Sequence, residues 1–339
     1  MIVDELTVSA TLQREFRKEA TARMSHYSTK IEGNRLTLKQ TKDLLSGKEV
    51  IAREIDKCEV MNYYDCIEWI AQTSRAKKNV SEKDIKNIHS IIEKGILKGK
   101  LRGEYREAQN AIYDSNTRKP VYFPPEAKDV SGLMAEFVDW INKEENLHPI
   151  LKAGIAHYRF VVVHPFMDGN GRTARALATL LLYQAGYDLK QFYSLEEYYV
   201  EDLLGYYHAI QKPHGLHYDE APDPDITTWL LYFVKGAAIV FEDLKEKVLK
   251  AAKEGTVLKT NADRKLLEAI GPRERKLLQY FKKSPRLLRK NLCALFQIKD
   301  RAAGNLLQKW IALGIISRQG AGYRDAYYVL STGYQKFLS

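Results

Sequence analysis

Residues 161–175 constrain the fold of this 339-residue chain more than any other stretch. An apolar run, Val161-Val162-Val163, stops at His164, and Pro165-Phe166-Met167 leads on to Asp168. Gly169-Asn170-Gly171 follows, then Arg172-Thr173-Ala174-Arg175. The mostly apolar segment from Ala176 to Ala185 has no proline or glycine and closes at Gly186, the pattern of a helix with a glycine C-cap. Gly169-Asn170-Gly171 therefore stands at a helix N-terminus, where backbone N–H groups lack intrahelical partners and the positive dipole end favours an anion. Without Cβ atoms, the glycines let the main chain come close to a phosphate.

Taken singly, each of these residues has an ordinary role: a histidine is most often structural, Gly-Asn-Gly a turn, and an aspartate a cap. Together they describe a phosphate site. Arg172 and Arg175 fall three apart on one helix face and can both reach a polyphosphate. Arginines in a first helical turn oppose the dipole, so a bound anion would compensate them. Asp168 is an oxygen ligand of the kind Mg²⁺ takes alongside substrate phosphates. His164, with an unperturbed pKa of about 6.5, suits a general base near neutral pH.

Position for position, the stretch resembles the signature of the Fic family (filamentation induced by cAMP), His-x-Phe-x-Asp/Glu-Gly-Asn-Gly-Arg-x-x-Arg. The resemblance implies a mainly α fold, a Fic-type helical bundle with a small β-hairpin flap. It also implies a protein adenylyltransferase, which moves AMP from ATP to a hydroxyl of a target protein and releases pyrophosphate. Under it His164 takes the hydroxyl proton and Asp168 holds Mg²⁺. Gly169, Asn170 and Gly171 cradle phosphate, and Arg172 and Arg175 meet the β- and γ-phosphates. Some family members phosphorylate, move UMP or phosphocholine, or reverse the reaction. The kinase-like ones depart from Gly-Asn-Gly, whereas Gly171 is kept here, which favours AMP transfer.

Upstream, Ser28-x-x-x-Glu32-Gly33 resembles the family's inhibitory motif, Ser/Thr-x-x-x-Glu-Gly/Asn. By its residues alone Glu32 is a solvated carboxylate at a helix end. The resemblance implies instead that it pairs with Arg175 where a γ-phosphate would be anchored. Reversal of the reaction, with Glu32 positioning a water, stays open.

Elsewhere the chain reads as helices. Two, roughly Leu12–Ile31 and a second starting after an N-cap at Thr37, break near Glu32-Gly33-Asn34. Residues 50–76 and 81–98 have helical spacing, with Ser81, Glu82 and Asp84 forming a good start. Ala111-Ile112-Tyr113 and Val121-Tyr122-Phe123, joined through Asp114–Lys119, read as a hairpin. Beside the signature this hairpin resembles the family's flap, which positions a target by main-chain pairing, its tyrosines exposed for contacts. Helices are expected over Asp129–Asn142, Leu151–Val163 and Ile226 to about Lys253. His148 and His157 are expected to be structural, and Phe166 an apolar anchor. Tyr206-Tyr207 resemble a pair that closes the family's nucleotide site, although the basic residue ahead of it is missing.

The expected domains are 1–48 (the inhibitory region), 49–255 (the catalytic core), a linker over 256–271, and 272–339. The last resembles a winged helix-turn-helix. It has three helical pieces, a two-stranded wing, and Lys299, Arg301, Asn305, Lys309, Arg318 and Arg324 placed to meet phosphates. The net charge of +10 supports a DNA partner there, because from Gly271 onward there are 14 Lys/Arg against 3 Asp/Glu, while the rest is near balance. A transcription regulator whose Fic body senses nucleotide is the rival reading.

Cys58, Cys66 and Cys293 form no Cys-x-x-Cys pair and read as reduced thiols of a cytoplasmic protein. The start of the chain lacks the pattern of a secretory signal, and no apolar run approaches the about 18 residues of a membrane span. A homo-oligomer is left open.

Overall fold

The computed structural model describes residues 10–76, 79–114, 117–213, 215–221, 223–251, 272–320, 326–331 and 334. The expected linker over 256–271 and the wing residue Arg324 lie outside these. Two compact units divide the chain, one spanning Ala10–Glu246 and the other taking in the chain from Lys247 onward.

The first unit opens with α1 (Ala10–Ile31), α2 (Leu38–Leu45), α3 (Glu54–Ala76) and α4 (Glu82–Ile92). Thr37 caps α2 and Ser81 caps α4, each in a reciprocal capping box, with Gln40 and Asp84 as the returning side chains. The fourth helix stops at Ile92, short of the expected 98, because the chain turns through Gly95 at φ 75°. The hairpin pairs β1 (Ile112–Tyr113) with β2 (Pro120–Tyr122) antiparallel. Just beyond it, Phe123 exchanges main-chain hydrogen bonds with residues 216 and 218. Tyr113 is exposed as expected, but Tyr122 is not. It is buried, and its hydroxyl donates to the Val162 carbonyl at 3.1 Å, so it ties the hairpin to the core and offers nothing to a target.

Helices α5 (Val130–Lys143), α6 (Pro149–Val163), α7 (Asn170–Gln184), α8 (Leu195–Glu201), α9 (Leu203–Gln211) and α10 (Thr227–Ala251) follow. The core of this unit is α7. From Arg172 to Tyr183 every residue is buried, so the helix is covered all round, by α6, α3, α4 and α1. Ala174, Ala176 and Ala178 let those neighbours approach. At its far end Gly186 (φ 84°) completes a Schellman motif: Tyr187 N–H donates to Leu182 O at 2.9 Å and Gly186 N–H to Tyr183 O at 3.1 Å. His148 caps α6, and His157 is sealed against Trp229 with its Nε2 bonded to the Tyr206 hydroxyl at 3.2 Å, so both are structural as expected.

In the second unit, α11 (Pro272–Lys283), α12 (Arg289–Phe296) and α13 (Asp300–Ala312) precede the antiparallel strands β3 (Ile316–Gln319) and β4 (Tyr327–Leu330). The second of these helices starts only at Arg289 because Leu287 is extended and exchanges two 2.8 Å hydrogen bonds with Tyr328. Trp310 shares one buried core with Leu277, Phe281, Leu292, Leu307 and Ile316, and its indole N–H donates to the buried Glu274 carboxylate at 2.6 Å. The three cysteines are free, and no helix among the described residues is long and apolar enough to cross a membrane.

Candidate active site

His164 is the residue at which α6 stops. It takes the left-handed conformation (φ 49°, ψ 57°) while its N–H still donates to Phe160 O at 3.0 Å. A non-glycine residue there costs about 1–2 kcal/mol. Arg106 offsets that strain: its Nε donates to the His164 carbonyl at 2.9 Å, its backbone N–H to Pro165 O at 2.8 Å, and its guanidinium also to the Pro125 carbonyl. The imidazole Nδ1 lies 3.3 Å from the Val161 carbonyl. A carbonyl only accepts, so Nδ1 carries the proton and Nε2 presents a lone pair. Burial lowers the pKa of His164 to about 4, and Arg106 adds to this, while Val161, Glu32 and Asp168 pull the other way. The ring is therefore neutral at pH 7 and able to accept a proton.

The loop that follows is pinned from inside. Phe166 is fully buried and stacks on His89 with ring centres 3.7 Å apart. Asn170 clamps the turn with both ends of its amide, Oδ1 accepting from Phe166 N–H at 2.9 Å and Nδ2 donating to Phe166 O at 2.8 Å. His89 Nδ1 accepts from Gly103 N–H at 2.9 Å, which leaves Nε2 to donate to the Asp168 carbonyl at 3.1 Å. The Asp168 side chain stays exposed, one oxygen accepting from Gly169 N–H at 2.6 Å.

Gly169 (φ 72°) precedes α7 and has no side chain to cap it, and the first intrahelical bond is Thr173 N–H to Gly169 O at 2.9 Å. The N–H groups of Asn170, Gly171 and Arg172 lie ahead of that bond, at the positive end of the dipole. The anion that meets this end is Glu32. Its carboxylate packs against Gly171, in space that a Cβ there would fill. Glu32 stands one residue past the end of α1, in a turn closed by Gly33 at φ 92°. Arg175 is buried, with a hydrogen bond from each of its three nitrogens. Nη2 donates to Glu32 Oε1 at 2.7 Å and to Ser28 O at 2.9 Å, Nε donates to Ser28 Oγ at 2.9 Å, and Nη1 lies 3.4 Å from the Tyr206 hydroxyl. Burial alone would push the Glu32 carboxyl up, but Arg175, with Arg172 and His164, holds it below the usual range.

His164, Asp168, the Gly169–Gly171 turn, Arg175, Ser28, Glu32 and Gly33 thus converge. Arg172 turns the other way. Its buried guanidinium lies 2.9 Å from Glu93 Oε1, 3.3 Å from Glu59 Oε1 and 4.0 Å from Asp168 Oδ1. Sequence reasoning did not single out Arg106, His89, Glu59 or Glu93. Arg106 had one signal, its place at the end of Gly103-Glu104-Tyr105-Arg106 just ahead of the hairpin. His89 and Glu59 sit on ordinary helix faces, Glu93 just past the end of α4, and none of the three carries one.

Residues 79–182, which run from α4 into α7 and hold the turn at its head, match the Fic/DOC family profile. Among similar proteins, the protein adenylyltransferase Fic of Drosophila willistoni is 35% identical over 178 residues, covering 51% of this chain and 34% of that relative. That of Drosophila melanogaster is likewise 35% identical, covering 51% and 35%. The chain therefore spans about a third of the length of the curated relatives it matches. The structure of Fic-1 from C. elegans is similar with a TM-score of 0.58 at 26% identity, over 75% of this chain and 70% of that one. A Fic-domain signalling protein from Bacteroides thetaiotaomicron shares the fold with a TM-score of 0.63 at 24% identity, over 75% and 96%.

Proposed function

We propose that this chain transfers AMP from ATP to a hydroxyl of a protein side chain and that Glu32 holds the activity in check. The observation that carries the reading is the uncapped head of α7, beside the neutral His164 and closed by a carboxylate from the end of α1.

In the proposed reaction the N–H groups of residues 170–172 and the dipole of α7 hold the phosphate chain. Arg175, released from Glu32, anchors the terminal phosphate. The target hydroxyl oxygen forms a bond to the α-phosphorus as the bond from that phosphorus to the α–β bridging oxygen breaks. Pyrophosphate leaves with that electron pair, and the hydroxyl proton passes to Nε2 of His164. The exposed carboxylate of Asp168 is the donor type that suits Mg²⁺, which when bound would neutralise phosphate charge. The curated relatives are named as adenylyltransferases, which supports ATP as the substrate. Incubation of Glu32→Gly protein with a cell lysate tests the reading: label from α-labelled ATP should enter protein and label from γ-labelled ATP should not. Transfer of the γ-label instead would replace it with a kinase reading.

A second activity is proposed for residues 272–331, contact with DNA as a winged helix. On α13 and at its start, Lys299, Arg301, Asn305 and Lys309 are all exposed, and Arg318 is exposed on β3. A gel shift that weakens steeply with salt would support this, and no shift at low salt would remove it.

A further inference from the structure

Two residues past Glu32 the chain leaves its turn through Asn34, a buried residue whose side-chain amide is engaged at both ends. Oδ1 accepts from Leu36 N–H at 3.0 Å, and Nδ2 donates to the Asp56 carbonyl at 2.9 Å and to Glu59 Oε2 at 2.7 Å. These neighbours settle the orientation of the amide, because a backbone N–H only donates and a backbone carbonyl only accepts. Asp56 and Glu59 both belong to α3, so the exit of the turn is tied to that helix. Its entry is tied to α9, where the Tyr207 hydroxyl donates to Ile31 O at 3.1 Å. Glu59 has a second partner. Its Oε1 accepts from Nη1 of Arg172 at 3.3 Å, and Arg172 stands in the first turn of α7. One carboxyl group therefore joins the segment that follows Glu32 to the helix whose head Glu32 meets.

We propose that Asn34 and Glu59 are positioning residues for Glu32, fixing the exit of its turn against α3 and α7 so that the carboxylate is held at Gly171 and Arg175. This link is separate from the ion pair between Glu32 and Arg175. By ordering the segment in advance, it lowers the conformational entropy that the ion pair must offset. The consequence for transfer rests on the reading above that Glu32 withholds Arg175 from a phosphate. The consequence for the turn itself does not.

The experiment has two arms. In the parent chain, Asn34→Ala should raise AMP incorporation from α-labelled ATP about ten-fold, the size of the lost hydrogen bonding. In the Glu32→Gly background the same change should leave the rate within about two-fold, since no carboxylate remains to be placed. Glu59→Gln, whose amide has one oxygen for two donors, should also activate the parent. Combined, the two changes should activate by less than the product of their single effects, because they break the same link. The second arm uses no nucleotide. In the parent chain, Asn34→Ala should speed backbone hydrogen exchange over residues 32–36 about ten-fold, with exchange in α7 unchanged. Faster exchange throughout the first unit, with transfer lowered in both backgrounds, would overturn the proposal and leave Asn34 a residue of general stability. An unchanged parent rate, in a chain that is active as Glu32→Gly, would overturn it as well. Faster exchange confined to residues 32–36, in a chain that shows no transfer as Glu32→Gly, would support the positioning and count against the transfer reading instead.

Discussion

The carboxylate of Glu32 lies where a side chain on Gly171 would have to sit. A helix start without a capping side chain is thus filled by an anion from the end of α1, and the absence of a Cβ is what lets it in. Under the proposed reaction a terminal phosphate would need the same space, so Glu32 and the substrate would compete for one seat.

A stability test follows from that shared space. Residue 171 is helical, where alanine is preferred over glycine by roughly 0.8–1.0 kcal/mol. Gly171→Ala should nevertheless cost about 1–3 kcal/mol in the parent, because the new methyl group meets Glu32. In Glu32→Gly protein the same change should be close to neutral. Thermal melts of the four proteins check this, and an equal loss in both backgrounds would show that the methyl clashes with something other than Glu32.

Four histidines set a pH dependence. Burial first of all lowers His26, His89 and His164 to about 4 and His157 to about 3. Their unfolded pKa is about 6.5, so between that value and about 4 the unfolded chain binds more protons than the folded one. Their contribution to stability is complete above about pH 6.5 and is lost as the pH falls toward 4. Melting temperatures measured from pH 7.5 to 4.5 should drop, and His157→Gln should shallow the drop. The acid limb of transfer by Glu32→Gly protein should likewise bend well below 6.5. An inflection at 6.5 would place His164 in a solvent-like setting.

Arg106 should matter to both fold and rate. Its guanidinium holds the carbonyls of His164 and Pro125, which joins the turn after α6 to the base of the hairpin. Arg106→Met keeps most of the stem but removes hydrogen bonds worth about 1.5–3 kcal/mol each when one partner is charged. Transfer by the Glu32→Gly enzyme should fall at least about ten-fold, with a lower melting temperature. Unchanged kcat would mean that His164 holds its left-handed conformation without this support.

Much of the site was legible because its parts are local. A proline-free segment between two glycines marked where α7 begins and ends, and the spacing from His164 to Arg175 put the histidine, the aspartate and the start of α7 on one turn. Ser28 and Glu32 needed the family pattern, since nothing in α1 itself says that a helix-end carboxylate will be drawn to an arginine far along the chain. Arg172 shows the limit of spacing arguments. Helical periodicity put it near Arg175, but Glu93, at the end of α4, and Glu59, on α3, pair with it instead. Tyr122 was misjudged for the same reason: alternation along a short hairpin does not reveal that one face rests on α6.

The ion pair between Glu32 and Arg175 is buried on the arginine side, and breaking such a pair costs roughly 3–5 kcal/mol, or about two to three orders of magnitude in an equilibrium. The decisive measurement is therefore the initial rate of AMP incorporation from α-labelled ATP by Glu32→Gly protein against the parent, with His164→Ala added to Glu32→Gly as the control. Glu32→Gly should be faster than the parent by about 10²–10³, and His164→Ala should return the rate by about 10²–10⁴. Equal rates for the parent and Glu32→Gly would contradict the reading of Glu32 as an inhibitor seated on a phosphate site.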